Sequence, residues 1–175
     1  MATGAGAVWV VNYRTSTLAR VDPRTLRARF ARVDAVPFDV LAAFGRIWVT
    51  AWEAGITLDE LDPDTLEVVR RIDVGPRPNG LTVHGGGVWV GFGRDAISIA
   101  RVDRSSGAVT RFQLDVRRPG WFAAGTADFW ISANDSDLLH VDPSAGTVLA
   151  RLHLGGTRGQ GAAAPDGTKI GRAHV

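Results

Sequence analysis

Four aspartates, Asp22, Asp62, Asp103 and Asp142, recur at intervals of 40, 41 and 39 residues. Carboxylates gathered in that number suit general acid–base work or a hard cation. Their local sequences point elsewhere. Asp22-Pro23-Arg24-Thr25, Asp62-Pro63-Asp64-Thr65 and Asp142-Pro143-Ser144-Ala145-Gly146 place Asp first and Pro second, and Asp103-Arg104-Ser105-Ser106-Gly107 keeps the Asp without the Pro. An Asp at the first position of a turn accepts hydrogen bonds from the turn backbone, and Pro pre-sets the following dihedral. Turn capping is therefore the role expected of all four. The histidines His84, His140 and His153 share no metal-ligand spacing, and the chain has no Cys. The spacing argues against a zinc site, and the absence of Cys excludes a thiolate site and a disulfide. Gly85-Gly86-Gly87 has neither a following helix nor a nearby Lys, so it reads as a hairpin turn and not a phosphate loop. No Ser-centred nucleophile elbow is present.

The elements that carry these residues repeat as a unit. Trp9, Trp48, Trp89 and Trp130 are spaced by 39, 41 and 41 residues, and Pro37, Pro78 and Pro119 by 41 and 41. Three markers with one period of about forty residues define a structural repeat. Each unit holds four short apolar runs separated by Gly, Pro and Asp, which read as strands. The Trp run is apolar at successive positions, as in a strand buried on both faces. The Pro-to-Trp separation is always 11, whereas the Trp-to-Asp separations are 13, 14, 14 and 12. Length variation belongs in loops, so it marks the connection between the second and third strands.

A four-stranded unit of this length is a β-propeller blade. The run Pro78-Asn79-Gly80-Leu81-Thr82, then Gly87-Val88-Trp89-Val90, then Ile99-Ala100-Arg101-Val102-Asp103 resembles the YVTN and virginiamycin B lyase-like propeller families from Ala7 to Gly167. The expected fold is all-β: a propeller fragment of about four four-stranded blades, an open arc of a six- or seven-bladed parent. Its expected parts are a partial blade at 1–34 (strands two to four), blades at 35–75, 76–116 and 117–155, and the first strand of a further blade at 156–168. The last residues, 169–175, read differently. Ile170 to Val175 translates a string resembling the start of a widely used sequencing-library adapter, and Gly171 stands where the period calls for Trp.

The resemblance implies a ligand face built from second-to-third-strand loops and the starts of the inner strands. In this chain those positions are Tyr13, Arg14, Trp52, Glu53, Phe92, Arg94, Asp95, Asn134 and Asp135 from loops, and Phe38, Asp39, Asn79 and Trp121 from inner-strand starts. The expected ligand-binding set is Trp52, Glu53, Asn79, Phe92, Arg94, Trp121, Asn134 and Asp39. Trp52 and Trp121 lie outside the period, so the scaffold has no repeating need of them; amphipathic aromatics make good ligand anchors. The virginiamycin B lyase resemblance also implies a His after the blade proline, a Glu just after the Trp strand, and magnesium. Here the residues after the prolines are Phe38, Asn79 and Gly120, and Glu53 stands two places late. The expectation is a non-enzymatic binding or scaffold module without catalytic residues, metal or cofactor; the alternative is a magnesium-dependent lyase whose catalytic blades lie elsewhere in a parent chain.

Charge narrows the partners. The formal net charge is +2, but 19 of the 20 basic residues are Arg and the single Lys169 lies near the end. Without 169–175 the body is neutral, and acids separate its arginines, so no phosphate-tracking stripe forms and nucleic acid is not expected. No apolar run is long enough for a membrane helix, and the first residues lack an export signal. The expected partners are a small molecule, peptide or glycan, together with the remaining blades of an exported or receptor-borne parent.

Overall fold

A computed structural model of the chain describes residues 1–33, 36–52, 56–92, 98–114, 122–125, 129–133, 136–154, 161–163 and 170–172. Two compact units divide it, Met1–Asn79 and Gly80–Val175. The first holds two four-stranded sheets: β1 (Ala2–Gly4), β2 (Ala7–Asn12), β3 (Thr17–Val21) and β4 (Ala28–Arg32), then β5 (Pro37–Ala43), β6 (Arg46–Ala51), β7 (Thr57–Leu61) and β8 (Val68–Asp73). Strand β9 (Pro78–His84) begins at the end of that unit and joins β10 (Gly87–Phe92), β11 (Ser98–Asp103) and β12 (Val109–Gln113) in a third sheet. A fourth sheet comprises β13 (Phe122–Ala124), β14 (Phe129–Ala133), β15 (Asp137–Asp142) and β16 (Thr147–His153), and β17 (Gly161–Ala163) pairs with β18 (Ile170–Arg172). In every sheet sequence neighbours are spatial neighbours. The described residues contain no helix.

The first sheet has four strands where the sequence pointed to three. Ala2–Gly4 supplies the inner strand, with Ala2 opposite Trp9. The segment Ala2-Thr3-Gly4 lacks an apolar run, and its place is set by close approach. A Cβ on Gly4 would stand 2.7 Å from the Cβ of Ala42 in the next sheet.

Inner strands turn into Trp strands through two left-handed residues: Ala5 and Gly6 (φ 48 and 69), Phe44 and Gly45 (56 and 70), Gly85 and Gly86 (55 and 74). Paired positive φ is the two-residue hairpin turn that matches strand twist. Each of these turns is clamped by an indole. Nε1–H of Trp9, Trp48 and Trp89 donates to the carbonyls of Gly4, Ala43 and His84 at 2.9, 3.2 and 3.1 Å. The ring itself is buried. In the first unit Ala7, Trp9, Leu18 and Val33 pack with Val40, Ile47, Val49, Leu61 and Leu66 of the second sheet. Burial of each such aliphatic side chain stabilises by about 1.5–3 kcal/mol. In the second unit Trp89, Ile99 and Leu114 pack with Phe129, Ile131, Ala133, Leu139 and Val141.

Trp130 departs from the pattern. It is half-buried and stacks on His140 at 4.5 Å, while the preceding Phe129 is fully buried, 4.9 Å from Trp89.

The aspartate turns do what their sequence suggests. One carboxylate oxygen of Asp22 accepts from the backbone N–H groups of Arg24 and Thr25, and Asp62, Asp103 and Asp142 repeat the pattern two and three residues on. The Asp carbonyl then accepts from the residue four later, which is left-handed: Leu26 (φ 57), Leu66 (66), Gly107 (76) and Gly146 (66). A non-glycine residue there costs about 1–2 kcal/mol. Leu26 is 78% exposed and Leu66 7%. Leu26→Gly is therefore expected to stabilise by about 0.5–1 kcal/mol, after the entropic cost of Gly. Leu66→Gly is expected to destabilise by about 1–3 kcal/mol, because lost core burial exceeds the relieved strain. Paired urea melts of the two variants check both signs.

Candidate functional site

At the start of β5 two residues oppose one. Pro37 pairs with Ala51 and Val40 with Val49, so Phe38 and Asp39 together face Thr50 across a β-bulge. Such bulges re-aim side chains. Thr50 is fully buried and holds this one from beneath: its Oγ1 accepts from the Asp39 N–H at 3.0 Å and donates to the Asn79 carbonyl at 2.8 Å. The Asp39 carboxylate accepts from Val40 N–H at 2.8 Å. Phe38 is carried outward, 40% exposed, and stacks on Trp52 with ring centroids 4.9 Å apart and planes 24° from parallel. Trp52 is tied down by its own N–H, which donates to the Val36 carbonyl at 2.8 Å. The result is a fixed, half-exposed aromatic ledge with a carboxylate and a buried amide side chain, Asn79, at positions adjoining it in the chain's register.

Of the expected ligand set, Asp39 and Asn79 thus meet on Thr50 through their backbones, and Trp52 joins them through Phe38. Phe92 does not fit its expected loop position: it is the last residue of β10 and 5% exposed. Strand β10 continues one turn of the pleat further than the loop assignment assumed, and packing claims its last ring. Glu53, Arg94, Trp121 and Asn134 lie outside the described residues, as do Pro119, Asp95 and Asp135. Tyr13 is exposed, in a turn where Asn12 Oδ1 accepts from the N–H groups of Arg14 and Thr15. Sequence reasoning missed Thr50. Its signal is a hydroxyl inside an otherwise apolar Trp strand.

Two other polar clusters resolve as structural. A shallow open depression lined by Val68, Val69, Arg70 and Arg71 lies on outer strand β8. Its arginines are engaged: Arg70 with Glu60 at 2.7 Å and Arg71 with Asp59 at 3.6 Å. Ser136, His153 and Asp137 meet on the fourth sheet, yet Ser136 Oγ (3.4 Å) and Asp137 Oδ1 (2.9 Å) approach the same nitrogen, His153 Nδ1. A nucleophile relay needs them on opposite ring nitrogens. Among the described residues no group of three or more acidic or His side chains is placed to hold a metal ion, and no helix is long and apolar enough to cross a membrane.

A scan against known protein families finds no match, and a search of curated proteins finds none. Solved structures do match. Kuenenia stuttgartiensis hydrazine synthase superposes with a TM-score of 0.82 at 16% identity, over 94% of this chain and 51% of that one. The Neurospora crassa Pan2 WD40 domain gives 0.72 at 9%, over 87% and 48%. Myxococcus xanthus glutaminyl cyclase gives 0.67 at 13%, over 98% and 82%. The fold is the β-propeller. At these identities the likeness extends to the fold alone, and each four-stranded sheet is a blade. The chain spans about half the length of the hydrazine synthase and Pan2 chains.

The turn aspartates also set an acid limit. Asp22 is held below the usual carboxylate range first by the Arg24 N–H, Asp62 by that of Thr65, Asp103 by that of Ser106, and Asp142 by the Ser144 hydroxyl. A carboxylate whose folded value is depressed stabilises the fold above its unfolded value, near about 4, and that contribution disappears as pH falls through the folded value. Stability is therefore expected to fall with acid below about pH 4. Replacing the four aspartates by Asn keeps an acceptor and removes the titration. Urea melts across that range are expected to show a shallower acid slope for the Asn variant; an unchanged slope would place the acid sensitivity elsewhere.

Proposed function

We propose that this chain is a non-enzymatic β-propeller binding module of the YVTN and virginiamycin B lyase-like kind, taking its ligand on the Phe38–Trp52 ledge. The stacked, half-exposed aromatic pair carries the reading. Two rings held 4.9 Å apart by a bulge form a preorganised apolar surface, and rigid aromatics bind at low entropic cost. The ligand this suits presents a flat apolar face with polar edges: a sugar ring, or a Pro or aromatic residue of a peptide. Asp39 and Asn79 supply polar groups at the ledge. By repeat position Trp121, Glu53, Arg94 and Asn134 belong to the same proposed ligand set, whereas Phe92 is buried. Against the lyase chemistry of that family, the residues that follow the blade prolines in sequence are Phe38, Asn79 and Gly120, where a His would be required.

Glycan and peptide arrays probed with the wild-type chain and with Trp52→Ala test this. The variant is expected to lose about 2 kcal/mol of binding, roughly thirtyfold, at every array position the wild type holds, with a smaller effect on melting. Equal binding by both, with a large drop in melting temperature for Trp52→Ala, would reassign the ledge to packing. Ring opening of a streptogramin cyclic ester with magnesium would overturn the non-enzymatic reading.

A further inference from the structure

Blade one adds a ring beside the ledge of blade two. Tyr13 stands four residues past Trp9, as Trp52 stands four past Trp48. The loops that begin there close in the same way: the Val33 N–H donates to the Ser16 carbonyl at 3.0 Å, and the Val74 N–H to the Ile56 carbonyl at 2.9 Å. The backbone around Tyr13 is fixed. Asn12 Oδ1 accepts from the Arg14 and Thr15 N–H groups at 3.0 and 3.3 Å, and the Thr15 and Thr17 hydroxyls meet at 2.9 Å. Tyr13 itself is 65% exposed and lies outside the core of the first unit. Both loops lie at one end of that unit. Gly4 pairs with Ala7, the first residue of β2, and a Cβ on Gly4 would approach Ala42, near the end of β5. The start of β2 therefore lies by the end of β5. Since β2 packs along β5, its own end at Asn12 lies by the start of β5, at Pro37 and Phe38. Neighbouring sheets stack about 10 Å apart, which sets the scale of the step from Tyr13 to the Phe38–Trp52 pair. Blades three and four have Gly93 and Asn134 at the Tyr13 position, so the aromatic there is confined to blades one and two.

One ring of a ligand covers one such platform, and a ligand that repeats covers both. We infer, on the reading of the Phe38–Trp52 ledge as a ligand site, that the ligand is an oligosaccharide of equatorially linked units, such as β-1,4-linked glucose or N-acetylglucosamine, with one unit on the ledge and another on Tyr13. Equatorial hydroxyls leave the faces of a sugar ring as bare C–H, which lies flat on an aromatic face, and put every hydroxyl at the rim. The polar groups in register with the rings suit that rim. The Asp39 carboxylate is an acceptor only, and the Tyr13 phenol both donates and accepts. Sugar hydroxyls supply the donors that a carboxylate needs. A proline supplies none, because its ring carries no polar hydrogen and its nitrogen no N–H. The bond between sugar units makes the second contact intramolecular, so affinity rises with chain length until both platforms are filled.

Nuclear magnetic resonance titrations with cello- and chito-oligosaccharides, from the single sugar to the hexamer, test this beside proline-rich peptides of matched length. Affinity for at least one sugar series is expected to rise about five- to tenfold from the single sugar to the longer chains, the gain of one further stacked ring, and then to level off. Tyr13→Ala is expected to abolish that rise and to leave the single sugar bound as before, whereas Tyr13→Phe keeps most of it. Trp52→Ala is expected to weaken binding at every length. Tyr13 is exposed, so the fold is expected to persist, which far-ultraviolet circular dichroism checks; Tyr13→Gln repeats the test if the alanine variant misfolds. Sugar binding that depends on Trp52 but is the same in Tyr13→Ala would overturn the inference and leave the ledge standing. So would Trp52-dependent binding of the proline-rich peptides alone. Sugar binding untouched by Trp52→Ala would overturn the ledge reading as well, and failure of both sugar series to bind would overturn the assignment to equatorially linked sugars.

Discussion

The indole N–H of the periodic tryptophan is the interaction on which the first three blades depend. It reaches back five residues to the last carbonyl of the inner strand and closes a turn whose two residues are both left-handed. Such a turn is sterically costly for Ala5 and Phe44. The bond to a buried ring offsets that cost and fixes the ring at once. The ring then has a single orientation in which to fill the space between blades, as Trp9 does against Ile47 and Val49. Because one side chain serves the turn and the interface together, the interval from Pro to Trp cannot change without breaking one of them. It is 11 residues in every repeat, while the interval from Trp to Asp runs from 12 to 14.

The second constraint is the aspartate turn, which ends each third strand and starts the outer one. It satisfies its own backbone through a carboxylate and so needs nothing from neighbouring blades. That independence lets the outer strands differ. Blade two sets Glu60 opposite Arg70 and Asp59 opposite Arg71, pairing both arginines across the strand. Blade one keeps the arginine of the first pair as Arg29 but opposes it with Arg20, whose guanidinium lies 5.9 Å from the Trp9 ring centroid instead. Like charges directly opposite one another are destabilising in a sheet. The ring's negative face and the Asp64 carbonyl that receives Arg29 at 2.8 Å compensate locally.

How much of this could be read from the residues depended on whether the signal was periodic. Trp, Asp and Pro at one spacing revealed the blades, the turn chemistry and the loops that vary, because each reflects a local requirement repeated three or four times. Features set by tertiary approach were not legible. Strand β1 is Ala2-Thr3-Gly4, without hydrophobic alternation; its place comes from the space a glycine leaves beside Ala42. Phe129, in register with Ile47 and Val88, is buried against Trp89 between the third and fourth sheets, a contact that its place before the periodic Trp does not reveal. Phe92 was assigned to the ligand face from loop position, but the strand extends to include it and its ring is buried.

The ledge itself was half legible for the same reason. Trp52 stood out by breaking the period, and Asp39 and Asn79 by their place after a repeating proline. Their gathering depends on the bulge, and the bulge depends on Thr50, whose hydroxyl satisfies the extra residue's N–H on one side and the Asn79 carbonyl on the other. A valine there, as at Val11 of blade one, would remove both hydrogen bonds, at about 0.5–1.5 kcal/mol each. Regular pairing would then be favoured, and regular pairing turns Phe38 to the opposite face of the sheet. A single hydroxyl in an apolar strand is thus what separates a blade that only packs from one that also presents a surface.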